Sequence, residues 1–247
     1  MSFRAYVLHL ERAEGRKRQV AELLAALPLS AEIVPATDGL LMGDADLERH
    51  FRRYLHLPRY PFVISRTEIA CFLTHRRAWQ RIIDDGCDAG LVVEDDVAVA
   101  SPSFARVVET ATSLIGPDEF LRFPLRERGE RGGVVHASGA VSIIEPRLPA
   151  LGMQMQLVGR EAARRLLAAT KLFDRPVDSV VQMQWVHAAR VLSVRPIVIR
   201  EIGRQLGGSV IHRKRTGVVH KFVHEVQRPL IRRAIRHANE VWRRKSA

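Results

Sequence analysis

Three consecutive carboxylates, Glu94-Asp95-Asp96, follow the apolar run Gly90-Leu91-Val92-Val93 and precede Val97-Ala98-Val99. Apolar β-branched residues on both sides predict a buried strand that ends in acids. Like charges packed together repel, and burying them is costly unless a cation or hydrogen bonds compensate. Such an oxygen cluster suits a hard divalent cation, Mn²⁺ or Mg²⁺, held beside a phosphate. Asp96 with Glu94 or Asp95 is the candidate metal pair. The competing reading is a solvated turn whose acids face water.

Other residues can supply further steps of such chemistry. Asp178, in Arg175-Pro176-Val177-Asp178-Ser179, falls where a helix should begin. It is the candidate general base for a hydroxyl, or a helix N-cap accepting a backbone N–H. A helix start also predicts an ionised carboxylate of low pKa. Glu68 and His75 are seven apart and share a helix face. Ser65-x-x-Glu68 reads equally well as a capping box, and His75 as a locally bonded buried ring. Arg12, Arg16 and Arg18 follow the first strand, suited to phosphate or to solvent. Neither the P-loop nor the G-x-G-x-x-G pattern occurs, which excludes two common nucleotide fingerprints.

These residues need a scaffold, and the hydrophobic periodicity supplies one. Strands are predicted at Ala5–Leu10, Ala31–Pro35, Leu91–Glu94, Glu119–Phe123, Gln156–Val158 and Leu192–Ile199, with short strands within Val134–Ile144. Helices are predicted at Glu14–Leu27, Thr67–Asp84, Ser101 to about Ile115, Arg160–Ala169 and Pro176–Ala189, and more loosely at Asp44–Leu57. Ala36–Gly39, Arg126–Gly133 and Gly203–Gly208 read as turn and loops. Strands alternating with helices predict an α/β sheet rather than a bundle.

The 247 residues carry a net charge of +12, and nearly half are hydrophobic, enough for a substantial core. From Arg200 onward thirteen Lys or Arg face three Glu, so ten of the twelve net charges lie there. Residues 1–217 are read as the main domain and 218–247 as a basic amphipathic helical tail. Val219, Phe222, Val223 and Val226 make one apolar stripe. Pro229 is predicted to break or kink the helix, and Leu230, Ile231, Ala234, Ile235, Ala238, Val241 and Trp242 continue the stripe. Such a tail suits an anionic membrane surface, or packs on the body with its arginines in solvent. Cys71 and Cys87, without clustered histidines, fit reduced buried thiols better than a disulfide or a zinc site. No signal-peptide pattern opens the sequence and no apolar run approaches membrane-spanning length.

Taken in order, these segments resemble glycosyltransferase family 25. Arg66-Thr67-Glu68-Ile69-Ala70-Cys71-Phe72-Leu73-Thr74-His75, then Trp79, Gly86 and Leu91-Val92-Val93-Glu94-Asp95-Asp96-Val97, is similar to the family's central signature. Val7-Leu8-His9-Leu10 with Arg12 and Arg16 resembles its first strand and arginine-bearing turn. Ala36-Thr37-Asp38-Gly39 resembles its second-strand turn, and Gly152 through Ala162 its Gly-rich strand and following helix. Pro176-Val177-Asp178 matches its Pro-Val/Ile-Asp element. The resemblance runs from about residue 3 to 212. In two places it departs. Gly152-Met153-Gln154-Met155-Gln156 replaces a Gly-Thr-Ala-Gly-Tyr stretch of many bacterial members, and Arg122-Phe123-Pro124 lacks the acid often found beside that arginine.

The resemblance implies a GT-A-like nucleotide-binding mixed sheet flanked by helices, a UDP-sugar donor (commonly UDP-galactose), a divalent metal and inverting transfer to a glycan or glycolipid acceptor. It implies that Arg12, Asp38, Gly39, Glu68, His75, Glu94 and Asp95 bind substrate, that Asp96 and Glu94 hold the metal, and that Asp178 serves as base or orients the acceptor. A lipopolysaccharide-like acceptor would place the protein in the cytoplasm, peripheral at the inner face of the membrane, and no nucleic acid is expected. Two rival readings are a nucleotidyl or phosphoryl transferase, and a non-catalytic membrane or polyanion binder.

Overall fold

In the computed structural model the described residues are 2–126, 130–206 and 218–246, and in the last stretch side chains are described from 227 to 245. The sheet grows from β1 (Phe3–His9), flanked in parallel by β2 (Ala31–Pro35) and β3 (Ala89–Glu94). β8 (Met155–Gly159) runs antiparallel to β3 on its other side. Beyond it lie β5 (Glu119–Arg122), β9 (Arg190–Arg195), β7 (Val141–Pro146) and β6 (Gly132–Ser138). The strand order is β2-β1-β3-β8-β5-β9-β7-β6. A separate small ladder pairs β4 (Val97–Val99) with β10 (Ile199–Glu201), antiparallel.

Alternation along the central strands builds two cores, one on each face of the sheet. Tyr6, Leu8 and Val92 pack on one side with Ile69, Phe72, Trp79 and Ile82 of α3 (Arg66–Asp84) and Leu166 of α5 (Arg160–Ala169). Ala5, Val7, Leu91 and Val93 pack on the other with Val20 and Leu23 of α1 (Lys17–Ala26) and Phe104 and Val108 of α4 (Phe104–Leu114). This is the mixed α/β sheet flanked by helices that the sequence predicts. Among the described residues no helix is long and apolar enough to cross a membrane.

Two glycines let α3 approach closely. A Cβ on Gly90 would lie 2.4 Å from Ile82, and one on Gly39 would lie 2.7 Å from the Thr67 Cα. The second contact sets the turn after β2 directly against the start of α3. That start carries the predicted capping box: the Glu68 N–H donates to Ser65 Oγ (3.2 Å), and the Ser65 N–H donates to Glu68 Oε2 (2.7 Å).

Four elements differ from the sequence reading. α2 covers only Asp44–His50, because Phe51 leaves the helix to bridge Phe173. The helix predicted over Pro176–Ala189 is two short ones, α6 (Val177–Val181) and α7 (Gln184–His187). The Gln184 N–H donates to Asn239 Oδ1 (3.1 Å) at that break. The predicted strand Leu192–Ile199 is split at Pro196, which has no N–H for a ladder. The tail helix α8 (Val218–Ser246) runs on through Pro229 instead of breaking there. Within Val134–Ile144 the weak alternation becomes the β6–β7 hairpin, turning at Gly139 with φ +57°. Residues 127–129 and 207–217 lie outside the described ones, as do the side chains of the expected stripe Val219, Phe222, Val223 and Val226.

The described part of α8 is docked on the body. Asn239 is fully buried and its Nδ2 donates to the Gln182 carbonyl (2.8 Å), while Ile235 is buried beside it. Arg243 donates to the Pro146 carbonyl (2.9 Å) and faces Glu145 at 3.4 Å. Val241 and Leu230 remain exposed, so only part of the expected stripe is covered.

Candidate active site

The parallel strands β1, β2 and β3 end together, and their ends meet one face of α3. A solvent-open cleft with about 680 Å³ of free space forms there. Its lining includes Arg12 and Arg16 after β1, Thr37, Asp38 and Gly39 after β2, Cys71 and His75 from α3, and Glu94, Asp95 and Asp96 after β3. Its position suits a small-molecule site, since ligands of open α/β sheets bind beyond the carboxyl ends of the strands.

The three adjacent acids have three different environments. Asp95 is buried and both its oxygens are engaged, Oδ2 by His9 Nδ1 at 2.8 Å and Oδ1 by Arg16 in a very short ion pair. It fastens the turn and is therefore removed from the candidate metal pair. Glu94 Oε1 lies 3.1 Å from His75 Nε2. Gln156 Nε2 lies 3.2 Å from His75 Nδ1, so with that amide donating, the ring proton sits on Nε2 and points at Glu94. His75 is fully buried and positions Glu94 from behind.

Asp96 Oδ1 is buried with no hydrogen-bond partner. Burial pushes the Asp96 carboxyl up to about 7, with the charge of Glu94 adding to it and that of Arg16 opposing it. An unpaired buried carboxylate beside a second acid is costly in isolation and is relieved by a cation. The donors here are hard oxygens, so Glu94 and Asp96 fit Mn²⁺ or Mg²⁺. A different trio, Cys71 Sγ, a His75 ring nitrogen and a Glu94 oxygen, lies within 4.8 Å of one another. Burial pushes the Cys71 thiol well up, and the charges of Glu94, Asp178, Asp96 and Glu68 push it further. It stays a neutral thiol, a poor ligand for a hard cation.

At the mouth of the cleft Arg12 Nε donates to Asp38 in a very short ion pair, which holds the Asp38 carboxyl below its ordinary value. The Leu40 N–H donates to Asp38 Oδ1 (2.9 Å). Arg18 instead pairs with Glu22 on the exposed face of α1. Glu68 does not line the cleft. Its carboxylate is taken up by the Ser65 cap, although its charge reaches Cys71.

Asp178 is not among the lining residues of the cleft, but it is near enough that its charge acts on Cys71 and Tyr60. It is not the N-cap of α6, a place Pro176 holds. Its Oδ2 accepts the Gly152 N–H at 3.1 Å. Burial raises its pKa, against the N–H groups of Gly152 and Ser179. That reverses the low value expected from a helix start, because desolvation outweighs a helix of five residues. Gly152, at φ +107°, is a backbone link between Asp178 and Arg122, whose guanidinium donates to the Gly152 carbonyl (3.1 Å). Arg122 has an acid as partner all the same: Glu130 pairs with it at 2.6 Å in a buried site.

Sequence reasoning missed His9, Gln156 and Glu130. His9 and Gln156 lie within strands whose patterns read only as apolar, and Glu130 lies in a charged loop. Cys71 had a signal, its i,i+4 spacing to His75, which puts both on one helix face.

The model of glycosyltransferase family 25 (LPS biosynthesis protein) matches residues 3–128. A glycosyltransferase 25 family member of Drosophila pseudoobscura pseudoobscura is 29% identical over 195 residues, covering 73% of this chain and 29% of that protein. Procollagen galactosyltransferase 2 of Homo sapiens is 30% identical over 95 residues, covering 37% of this chain and 15% of that protein. The inactive glycosyltransferase 25 family member 3 of Mus musculus is 31% identical over 97 residues, covering 37% and 16%. The chain thus spans less than a third of the length of each of these relatives. One of them is named inactive, so activity has to be argued from the residues of the cleft. With the family match over half the chain and its central signature lining that cleft, this chain belongs to glycosyltransferase family 25.

Proposed function

We propose that this chain is a metal-dependent, inverting glycosyltransferase that moves a hexose, galactose by preference, from UDP to a hydroxyl of a lipopolysaccharide-like or related surface glycan. The observation that carries this reading is Asp96, whose Oδ1 is buried without a partner beside Glu94 at the ends of the parallel strands. These two residues would hold Mn²⁺ or Mg²⁺, which supplies positive charge to stabilise the departing diphosphate. Arg12 and Asp38 bind donor at the mouth, Arg12 as a cation for phosphate and Asp38 as an acceptor for nucleoside hydroxyl or N–H groups. Gly39 leaves the turn tight enough to present them. The Arg16–Asp95–His9 network fixes the turn carrying Asp96.

In the transfer step the acceptor oxygen forms a bond to the anomeric carbon while the bond to the diphosphate oxygen breaks. UDP leaves with that electron pair, and the acceptor proton passes to Asp178. A carboxylate raised by burial is better matched to this task than one at its ordinary value. The reading also places the chain in the cytoplasm, at the inner face of the membrane, with the cationic side of α8 toward anionic lipid.

The test is release of UDP from UDP-galactose and UDP-glucose, with and without Mn²⁺. Asp96→Asn and Glu94→Gln should each lower the rate by a factor on the order of 10²–10³. Wild-type turnover unaffected by chelation, or release of pyrophosphate instead of UDP, would overturn the reading. For the membrane, Arg232→Glu/Arg233→Glu/Arg236→Glu is the useful variant. Deleting α8 would uncover the surface that Asn239 and Ile235 bury.

A further inference from the structure

Residues 52–63, Arg-Arg-Tyr-Leu-His-Leu-Pro-Arg-Tyr-Pro-Phe-Val, contain three arginines and no acid. The segment follows α2 and leads to the cap of α3. Four of its apolar side chains face solvent: Leu57 at 75% exposure, Val63 at 63%, Tyr54 at 46% and Leu55 at 42%. Arg52, Arg53 and Arg59 are exposed among them. The Arg53 and Arg59 guanidinium groups stand 4.6 and 5.7 Å from the Tyr54 ring centre.

A loop of this composition would be expected to fold its leucines inward, but its backbone is held in place from beneath. Asp174 and Arg175 form a fully buried ion pair, with Arg175 Nε 2.7 Å from Asp174 Oδ1. Arg175 also donates to the carbonyls of His56 (3.2 Å) and Pro58 (2.9 Å), and Asp174 Oδ2 accepts the His56 N–H (2.9 Å). The Arg52 N–H donates to the Phe173 carbonyl (3.0 Å). A buried ion pair is not a cheap way to gain stability. Here its hydrogen bonds hold the loop in a shape that leaves its leucines in water. Contiguous apolar exposure rimmed by cations marks an interaction surface.

We propose that this loop is a membrane-docking element whose leucines and Tyr54 enter the interfacial layer of an anionic bilayer while Arg52, Arg53 and Arg59 meet lipid phosphates. The inference deepens the membrane reading given above by adding a second contact to α8. The two are joined: the Arg228 guanidinium of α8 lies 5.9 Å from the Phe62 ring centre, and Phe62 packs edge-on against Tyr60 at 5.2 Å. Charge and composition favour a lipid surface. Cations among leucines and aromatics are the pattern of interfacial segments, and each basic residue near an anionic surface adds attraction.

The experiment is sedimentation of the full chain with vesicles of phosphatidylglycerol and phosphatidylcholine in equal parts, against pure phosphatidylcholine. The parent should bind the anionic vesicles selectively. Leu55→Ser/Leu57→Ser and Arg53→Glu/Arg59→Glu should each weaken that binding by about tenfold or more, with melting temperature unchanged because these side chains are exposed. Leu57→Trp should shift its added emission to the blue on anionic vesicles only. If the loop variants bind like the parent while Arg232→Glu/Arg233→Glu/Arg236→Glu binds poorly, the loop proposal fails and the tail reading stands. If the parent binds no vesicle, both fail. Loss of self-association in the loop variants, with vesicle binding intact, would reassign the surface to a second copy and also overturn the proposal.

Discussion

Two of the places where the molecule buries carboxylate oxygens treat them oppositely. Below the 52–63 loop, Asp174 is answered in full: Arg175 meets both its oxygens and the His56 N–H adds a third contact. At the floor of the cleft, Asp96 keeps one buried oxygen with nothing to meet it. Asp95, one residue away, belongs with Asp174, since His9 and Arg16 engage both its oxygens. A compensated acid builds structure; an uncompensated one, on the function proposed above, is held for a ligand. The chain places both kinds side by side at the end of β3. Their partners separate them.

The difference can be broken first at its structural end. Arg175→Ala should leave Asp174 charged and alone in the core and cost about 3–5 kcal/mol. Chemical denaturation at neutral pH would register it as a lower midpoint at unchanged slope. A loss under about 1 kcal/mol would mean that the pair is not the platform described. Asp95→Ala comes next, at about 2–4 kcal/mol, because it removes the carboxylate that meets both the buried Arg16 guanidinium and His9. Asp95→Asn should recover part of that loss, since an amide oxygen still accepts one of the two hydrogen bonds.

How far the sequence foretold this contrast follows from the range of the interactions. The Glu94-Asp95-Asp96 turn, the Ser65–Glu68 cap and the α3 face carrying Cys71 and His75 are encoded by neighbours three to seven residues apart, and all could be read. Arg12, Asp38 and His75 were expected at the cleft and line it. The partners are encoded at long range. His9 and Arg16 reach Asp95 from 86 and 79 residues away, and Gln156 reaches His75 from 81. No periodicity reports such distances, so which acid of the triplet lies unpaired was not legible. For the same reason the helix-start argument for Asp178 gave the wrong direction. It counted the local N–H groups and could not count the burial. The tail shows the third case: its amphipathicity was evident, but Asn239, a polar residue in an otherwise favourable stripe, turned out to be its buried anchor.

The smallest expected effect is the sharpest test of the contrast, because its sign is inverted. Removing the charge at Asp96 should stabilise the protein. Its folded pKa stands at about 7 against an ordinary value of 3.8, so the folded state binds the proton more tightly than the unfolded one. Stability is therefore lost as pH rises through that interval, from about 4 to about 7. At pH 4.5 Asp96 is protonated when folded, and Asp96→Asn should melt with the wild type. At pH 8 the wild type carries the uncompensated charge, and the variant should be more stable by about 1–2 kcal/mol, the full linkage being cut by solvent screening of this partly exposed carboxylate. Mn²⁺ should close that gap from the other side, raising the wild-type melting temperature at pH 8 by mass action and leaving the variant where it was. Melting curves at the two pH values, with and without Mn²⁺, give four comparisons. A variant less stable than wild type at pH 8 would show that Asp96 has a partner after all and belongs with Asp95 and Asp174.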